Sequence, residues 1–256
     1  MTRLNILIPL AVLTISLPVL AQDQPRRVAI VKADDVRGIT PKWDRFFTLS
    51  KGKGVKVSAG IICNSLQGNK KKYFDWLNKL GASGSVEFWN HGWDHKRWTT
   101  GEKKKISEFG GSGYEHQKKH FNDSQKLMKK ILGVAPVAFG TPFNAVDADT
   151  VKVMNEDTDM RMFFCYRAKG LANKVIAPMS LRGESDGTGK PNFEKFKAQY
   201  IKKQNLSFTA IQFHPNGFSN AHFAEYAKIL DFLIAEGWTF MLPAEYVAMT
   251  DHRKKD

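Results

Sequence analysis

The chain reads as an α/β protein: a distorted (β/α) barrel of about seven parallel strands in a single domain. Three observations predict it. Strand-like and helix-like segments alternate along nearly the whole chain, and such alternation builds a parallel sheet through right-handed crossovers. The strand-like runs are short, continuous and rich in Val, Ile and Phe, as in strands buried on both faces. The residues with chemical potential follow several different strands, which is how a barrel mouth gathers its chemistry, and this favours a barrel over an open sheet. A length of 256 residues suits one domain with a sizeable core, and no repeat or linker divides it.

Residues 1–21 read as a secretory signal. Arg3 supplies a positive start, an apolar run from Leu4 to Leu17 follows, Pro18 breaks it, and Val19 and Ala21 stand at −3 and −1 of a cleavage site. The apolar core is short for a membrane span, and no later stretch is long and apolar enough to be one. Residues 22–256 form the catalytic domain. Strands are expected over 27–33, 55–62, 85–90, 137–140, 161–165, 207–213 and 238–241, and helices over 43–50, 71–80, 114–132, 148–155, 193–203 and 221–236. In the first helix Trp43, Phe46 and Phe47 make a buried face. In the last, Phe223, Tyr226, Ala227, Leu230, Leu233 and Ile234 recur at helical spacing before Gly237, a natural stop, and the long central helix stops in the same way at Gly133. The stretches 101–113 and 182–191, rich in Gly, Ser and Lys, are expected as surface loops over the mouth, and the charged tail 251–256 as frayed.

The charge balance narrows the partners. Thirty-nine Lys+Arg against 25 Asp+Glu give a formal charge of +14. A protein this basic attracts polyanions. Export and the absence of any nucleic-acid motif argue against nucleic acid, which leaves an anionic polysaccharide as the expected partner. The competing reading is that Lys70 to Lys72, Lys103 to Lys105 and Lys129-Lys130 are solvated faces that aid solubility. Two cysteines, Cys63 and Cys165, do not make a disulfide framework, and each reads more simply as a small buried residue.

The chemistry concentrates in three places. His91 and His95 stand four residues apart in Asn90-His91-Gly92-Trp93-Asp94-His95, and Asp34-Asp35 closes the apolar run that starts at Val28. One carboxylate and two imidazoles bind zinc and leave a coordination position open for water, the layout of a catalytic site. The second carboxylate is then free to act as a base on that water, and His214, after the run Phe208 to Ile211, supplies an acid. A second pair, His116 and His120, lacks such a carboxylate and sits beside Lys118-Lys119, which disfavours a cation.

Taken together these pieces resemble the polysaccharide deacetylase family over roughly residues 27–246. The family's paired aspartate appears as Lys32-Ala33-Asp34-Asp35-Val36, its His-x-x-x-His as His91 to His95, its Pro-aromatic segment as Gly140-Thr141-Pro142-Phe143, and its late His as Phe213-His214. The resemblance implies Asp34 as catalytic base, Asp35, His91 and His95 as ligands of Zn2+ or another divalent transition metal, His214 as acid, and the Phe143 N–H as oxyanion donor. Asn144 and Trp93 are further candidates for substrate contact. Two departures stand out. The third motif normally begins with an Arg that holds the base, and here that position is Gly140, with Arg37 as the candidate substitute. The Asp/Trp motif that supports the acidic His is not recognisable.

The expected function is that of a secreted or periplasmic, metal-dependent hydrolase removing N- or O-acetyl groups from a polysaccharide or oligosaccharide. Two alternatives remain at this stage: a metal-dependent lyase of uronate polysaccharides on the same scaffold, and a noncatalytic glycan-binding protein. No nucleic acid and no stable membrane insertion after cleavage are expected.

Overall fold

The computed structural model describes residues 27–166 and 169–252. The leader predicted at 1–21 lies outside them. The chain runs β1 (Val28–Val36), α1 (Pro41–Gly52), β2 (Val57–Ile61), α2 (Lys71–Gly81), β3 (Val86–Asn90), a short hairpin of β4 (Arg97–Thr99) and β5 (Lys105–Ser107), then α3 (Tyr114–Leu132), β6 (Ala138–Gly140), α4 (Ala148–Glu156), β7 (Met162–Cys165), β8 (Val175–Pro178), α5 (Phe193–Ile201), β9 (Phe208–Phe213), α6 (Asn220–Ala235), β10 (Thr239–Phe240) and α7 (Pro243–His252).

All ladders of the main sheet are parallel. β9 and β2 flank β1, followed by β3, β6, β7 and β8, while β10 joins the start of β1. No ladder links β8 to β9, so the barrel is open at that seam. Thr209 bridges it instead: its hydroxyl donates to the Pro178 carbonyl at 3.1 Å and accepts from the Ser180 N–H at 3.1 Å.

The period of two along the strands builds two layers of core. Ile30, Trp89, Ala138, Met162, Phe164, Ala177 and Ala210 come from six strands and pack against one another inside the curl of the sheet. The alternate residues Ala29, Val31 and Ala33 face outward onto the apolar faces of α1 and α6, where Trp43, Phe46, Tyr226, Leu230 and Leu233 are fully buried. Both helices start on side-chain caps, Thr40 for α1 and Ser219 in a capping box with His222 for α6.

All seven predicted strands and six predicted helices are present. The hairpin β4–β5, the four-residue β8 and α7 were not anticipated. The hairpin occupies part of the stretch predicted as a loop at 101–113. Asp251 is helical and pairs with Arg161 at 2.8 Å, so it does not belong to a frayed tail, and the rest of the stretch predicted as one, residues 253–256, lies outside the described residues. Cys63 and Cys165 are both buried and unpaired. Among the described residues no helix is long and apolar enough to cross a membrane.

Candidate active site

The inward row of β1 runs Ile30, Lys32, Asp34, and carries the apolar interior up to a polar mouth. Adjacent residues of a strand point to opposite faces, so Asp34 and Asp35 could not both serve one site in a regular strand. A break in register between Ala33 and Val36 solves this. Asp35 takes a positive φ of 75°, and the local kink turns both carboxylates toward the mouth. His91 follows the inward Trp89 at the end of β3, and His214 follows β9. His95 lies in the loop after β3, not on a helix, and also has a positive φ, 56°. Among the described residues, four of the six non-glycine residues with positive φ, namely Asp35, His95, Phe143 and Asn144, line this single pocket, which encloses about 570 Å³. Backbone strain of this kind persists only where the surroundings over-determine it.

Three donor atoms converge there. Asp35 Oδ1 is 3.4 Å from His91 Nε2 and 3.3 Å from His95 Nε2. That oxygen is buried and has no hydrogen-bond partner. His91 Nδ1 lies 2.6 Å from the Gly140 carbonyl, which can only accept, so Nδ1 donates there and Nε2 is the ring nitrogen turned toward Asp35. Burial first, and His91 second, push the His95 imidazole down to about 4, so it is neutral at ordinary pH. A carboxylate oxygen left unpaired between two imidazoles fits a cation, and the N,N,O donor set suits zinc, cobalt or nickel.

Asp34 sits behind this triad and is buried. Its Oδ2 accepts from Gln212 Nε2 at 2.7 Å and lies 3.6 Å from His91 Nε2 and 3.8 Å from His214 Nε2. Burial works to raise its carboxyl, but Lys32, His91 and His214 together outweigh burial and hold it below the usual carboxylate range. His214 donates from Nδ1 to Glu184 Oε2 at 2.7 Å, and its backbone N–H is bound by the other Glu184 oxygen. Burial alone would lower the imidazole. Glu184 and then Asp34 reverse this and hold it above its ordinary value, with Nε2 facing the pocket.

Four side chains that sequence reasoning missed build this arrangement. Lys32 places its ammonium 2.6 Å from Asp34. Gln212, in the inward row of β9, fixes Asp34 from the other side. Glu184 supplies the support for His214 that no motif announced. It comes from the predicted mouth loop, pressed onto β9 at Gly183, where a Cβ would stand 2.3 Å from Phe213 Cε1. Glu108, fully buried, accepts from the backbone N–H groups of Trp93, Asp94 and His95 and from His120 Nδ1, and so moulds the loop that presents His95. Asp94, Glu108 and His120 form a second cluster of possible ligands, but those four hydrogen bonds already engage Glu108.

Two sequence candidates stand elsewhere. Arg37 is exposed and donates to the Asp94 carbonyl at 3.2 Å, so it does not reach Asp34; Lys32 already occupies that side of the carboxylate. The Trp93 ring packs against the core and faces a different hollow beside Leu66 and Leu127, because its backbone is turned away by Glu108. Phe143 and Asn144 do line the pocket. The Phe143 ring stands 4.2 Å from that of His95, and Asn144 Nδ2 reaches Gln212 Oε1 at 3.3 Å.

The comparisons agree with this fold. The profile of the polysaccharide deacetylase family matches residues 21–162, more than half of the chain. The chain belongs to the polysaccharide deacetylase family. Among solved structures, a putative polysaccharide deacetylase from Mycobacterium smegmatis superposes with a TM-score of 0.64 at 13% identity, covering 92% of this chain and 94% of that one. A family 4 acetyl xylan esterase from Clostridium thermocellum, solved with a cobalt ion, gives 0.61 at 15% identity and covers 86% and 91%. A CE4 family pseudoenzyme from Bacillus anthracis gives 0.60 at 10% identity, covering 88% of this chain and 66% of that one. At such identities the likeness establishes the fold. No curated protein sequence matches the chain.

Proposed function

We propose that the protein is an exported, metal-dependent deacetylase that hydrolyses N- or O-acetyl groups on a polysaccharide, preferentially an anionic one. The convergence of Asp35, His91 and His95 on an unpaired buried oxygen, with Asp34 and His214 across the same pocket, carries this reading. Asp35, His91 and His95 would hold the metal, which when bound would polarise an acyl carbonyl and acidify water. Asp34, held ionised, takes the proton of the attacking water at Oδ2. His214 gives its Nε2 proton to the leaving amine or alkoxide, and Glu184 keeps the ring in the required tautomer and orientation. The Phe143 N–H is the candidate oxyanion donor, a contribution of about 3 kcal/mol where such donors have been removed.

The mouth favours negative substrates. Its acids, Asp34, Asp35 and Glu184, lie inside, whereas Arg97 and Arg182 stand at the rim with no ion-pair partner among the described residues. Arg97 is held in place by stacking 3.7 Å over the Phe143 ring. Tyr166, exposed at the rim, offers a face for a sugar ring. The leader at 1–21 supports export to the periplasm or beyond.

The test is acetate release from a panel of neutral and acidic acetylated glycans, with zinc or with chelator, alongside ultraviolet absorbance. Zinc-dependent acetate lost in Asp34→Asn supports the proposal. New absorbance near ~235 nm on uronate polymers without acetate would replace it by a lyase, and silence in both channels by a noncatalytic binding role.

A further inference from the structure

Lys32 is a charged side chain to which the reaction scheme gives no task. It projects from β1 into the barrel and is fully buried. Its ammonium lies 2.7 Å from Oδ1 and 2.6 Å from Oδ2 of Asp34. The cation stands 4.6 Å from the ring centroid of Trp89 and 5.8 Å from that of Phe164. A buried ammonium is tolerated only when paired, and an apolar side chain of similar length would fill this space without the cost of desolvation. Gly140, opposite, carries no side chain. A Cβ there would stand 3.2 Å from Lys32 Cε and 2.8 Å from Trp89 Cζ3. Lys32, Trp89 and Gly140 therefore share one volume, and a long cation fits at position 32 or at position 140 but not at both.

We propose that Lys32 is the positioning residue of the catalytic carboxylate in this chain. It grips both oxygens of Asp34 from below and keeps Oδ2 turned toward His91 and His214. The cation thus comes from the barrel floor of the site and not from the rim, and the glycine at position 140 is the steric counterpart of that placement. The missing arginine at 140 is then no sign of a lost reaction, even though a pseudoenzyme shares the fold. This inference takes from the deacetylase reading only the role of Asp34; the coupling between the two side chains is independent of it.

The test uses the purified protein and Lys32→Met, Asp34→Asn and the double variant, each assayed zinc-loaded for acetate release and melted zinc-free. Lys32→Met is expected to lower kcat about 100-fold with KM within about threefold, and to cost nothing further when added to Asp34→Asn. It lowers the melting temperature in the wild-type background and much less in the Asp34→Asn background. Gly140→Arg, introduced into Lys32→Ala, which vacates the shared volume, regains part of the lost kcat. A kcat within threefold of wild type, or losses that multiply in the double variant, would overturn the proposal. If the wild type releases no acetate from any glycan, the deacetylase reading fails by itself; the melting cycle still decides on Lys32, and equal losses in both backgrounds would refute its pairing with Asp34.

Discussion

The two ends of the barrel differ in how completely their polar groups are partnered. At the end where the strands start, polar groups have partners: Lys56 pairs with Glu245 and Arg161 with Asp251, Arg27 donates to the Tyr200 hydroxyl, and the Glu87 carboxyl accepts from the Ala244 N–H. At the mouth, Asp35 Oδ1 has no hydrogen-bond partner, Arg97 and Arg182 form no ion pair among the described residues, and four non-glycine residues sit at positive φ. A fold at its stability optimum would pair the second set as it pairs the first. Strain and unpaired donors are tolerated where binding supplies the missing partner, and in parallel barrels that end is the C-terminal face of the strands.

The largest effect should come from removing the converging donors. Asp35→Ala or His91→Ala is expected to abolish stoichiometric zinc binding in calorimetry and acetate release with it. An equally tight zinc site in these variants would mean that the unpaired oxygen is not there for a cation. Next comes the acid: His214→Ala should cost about 10²–10⁴-fold in kcat. Its imidazole is held above the ordinary 6.5, so the active protonated form persists beyond that value and the alkaline limb of kcat/KM lies above it. Glu184→Gln removes a raising contact and should move that limb toward acid, which a pH–rate profile measures directly.

A smaller and selective effect is expected at the rim. Arg97→Ala should lower kcat/KM on acidic glycans by about tenfold, the weight of one charge-assisted hydrogen bond, and leave neutral ones unchanged. Equal losses on both substrates would assign Arg97 to loop packing. The opposite end should answer in stability alone. Burial raises the Glu87 carboxyl to about 7 from 4.5. The folded state therefore holds a proton that the unfolded chain releases, and this contribution, present below 4.5, is lost as pH rises through about 7. Glu87→Gln should gain about 1 kcal/mol at pH ~8, or about 2–4 °C in melting temperature, gain nothing at pH ~4, and leave activity unaltered.

What was legible in the sequence follows the same division. The buried strands announce themselves because both faces are apolar, and the motif residues because each closes such a run. The hairpin β4–β5 consists of two strands of only three residues each, and β8 spans only Val175–Pro178 at the open seam, so neither leaves a periodic signal. The supporting side chains were hidden for a different reason. Glu184 meets His214 30 residues away, Glu108 meets the His95 N–H 13 residues away, and Gln212 meets Asp34 178 residues away. Such pairings are set by the closing of the barrel and not by local spacing. Lys32 is the exception, only two residues from its partner, but a lysine inside an apolar strand reads as an interruption until Gly140 is seen to make room for it.

The most direct test of the account is a zinc titration of metal-free protein with acetate release followed at each addition on an acetylated glycan. The account predicts release that rises linearly to one zinc per chain, stops rising there, and falls to background with chelator. Full release without zinc, or none at saturation, would contradict it.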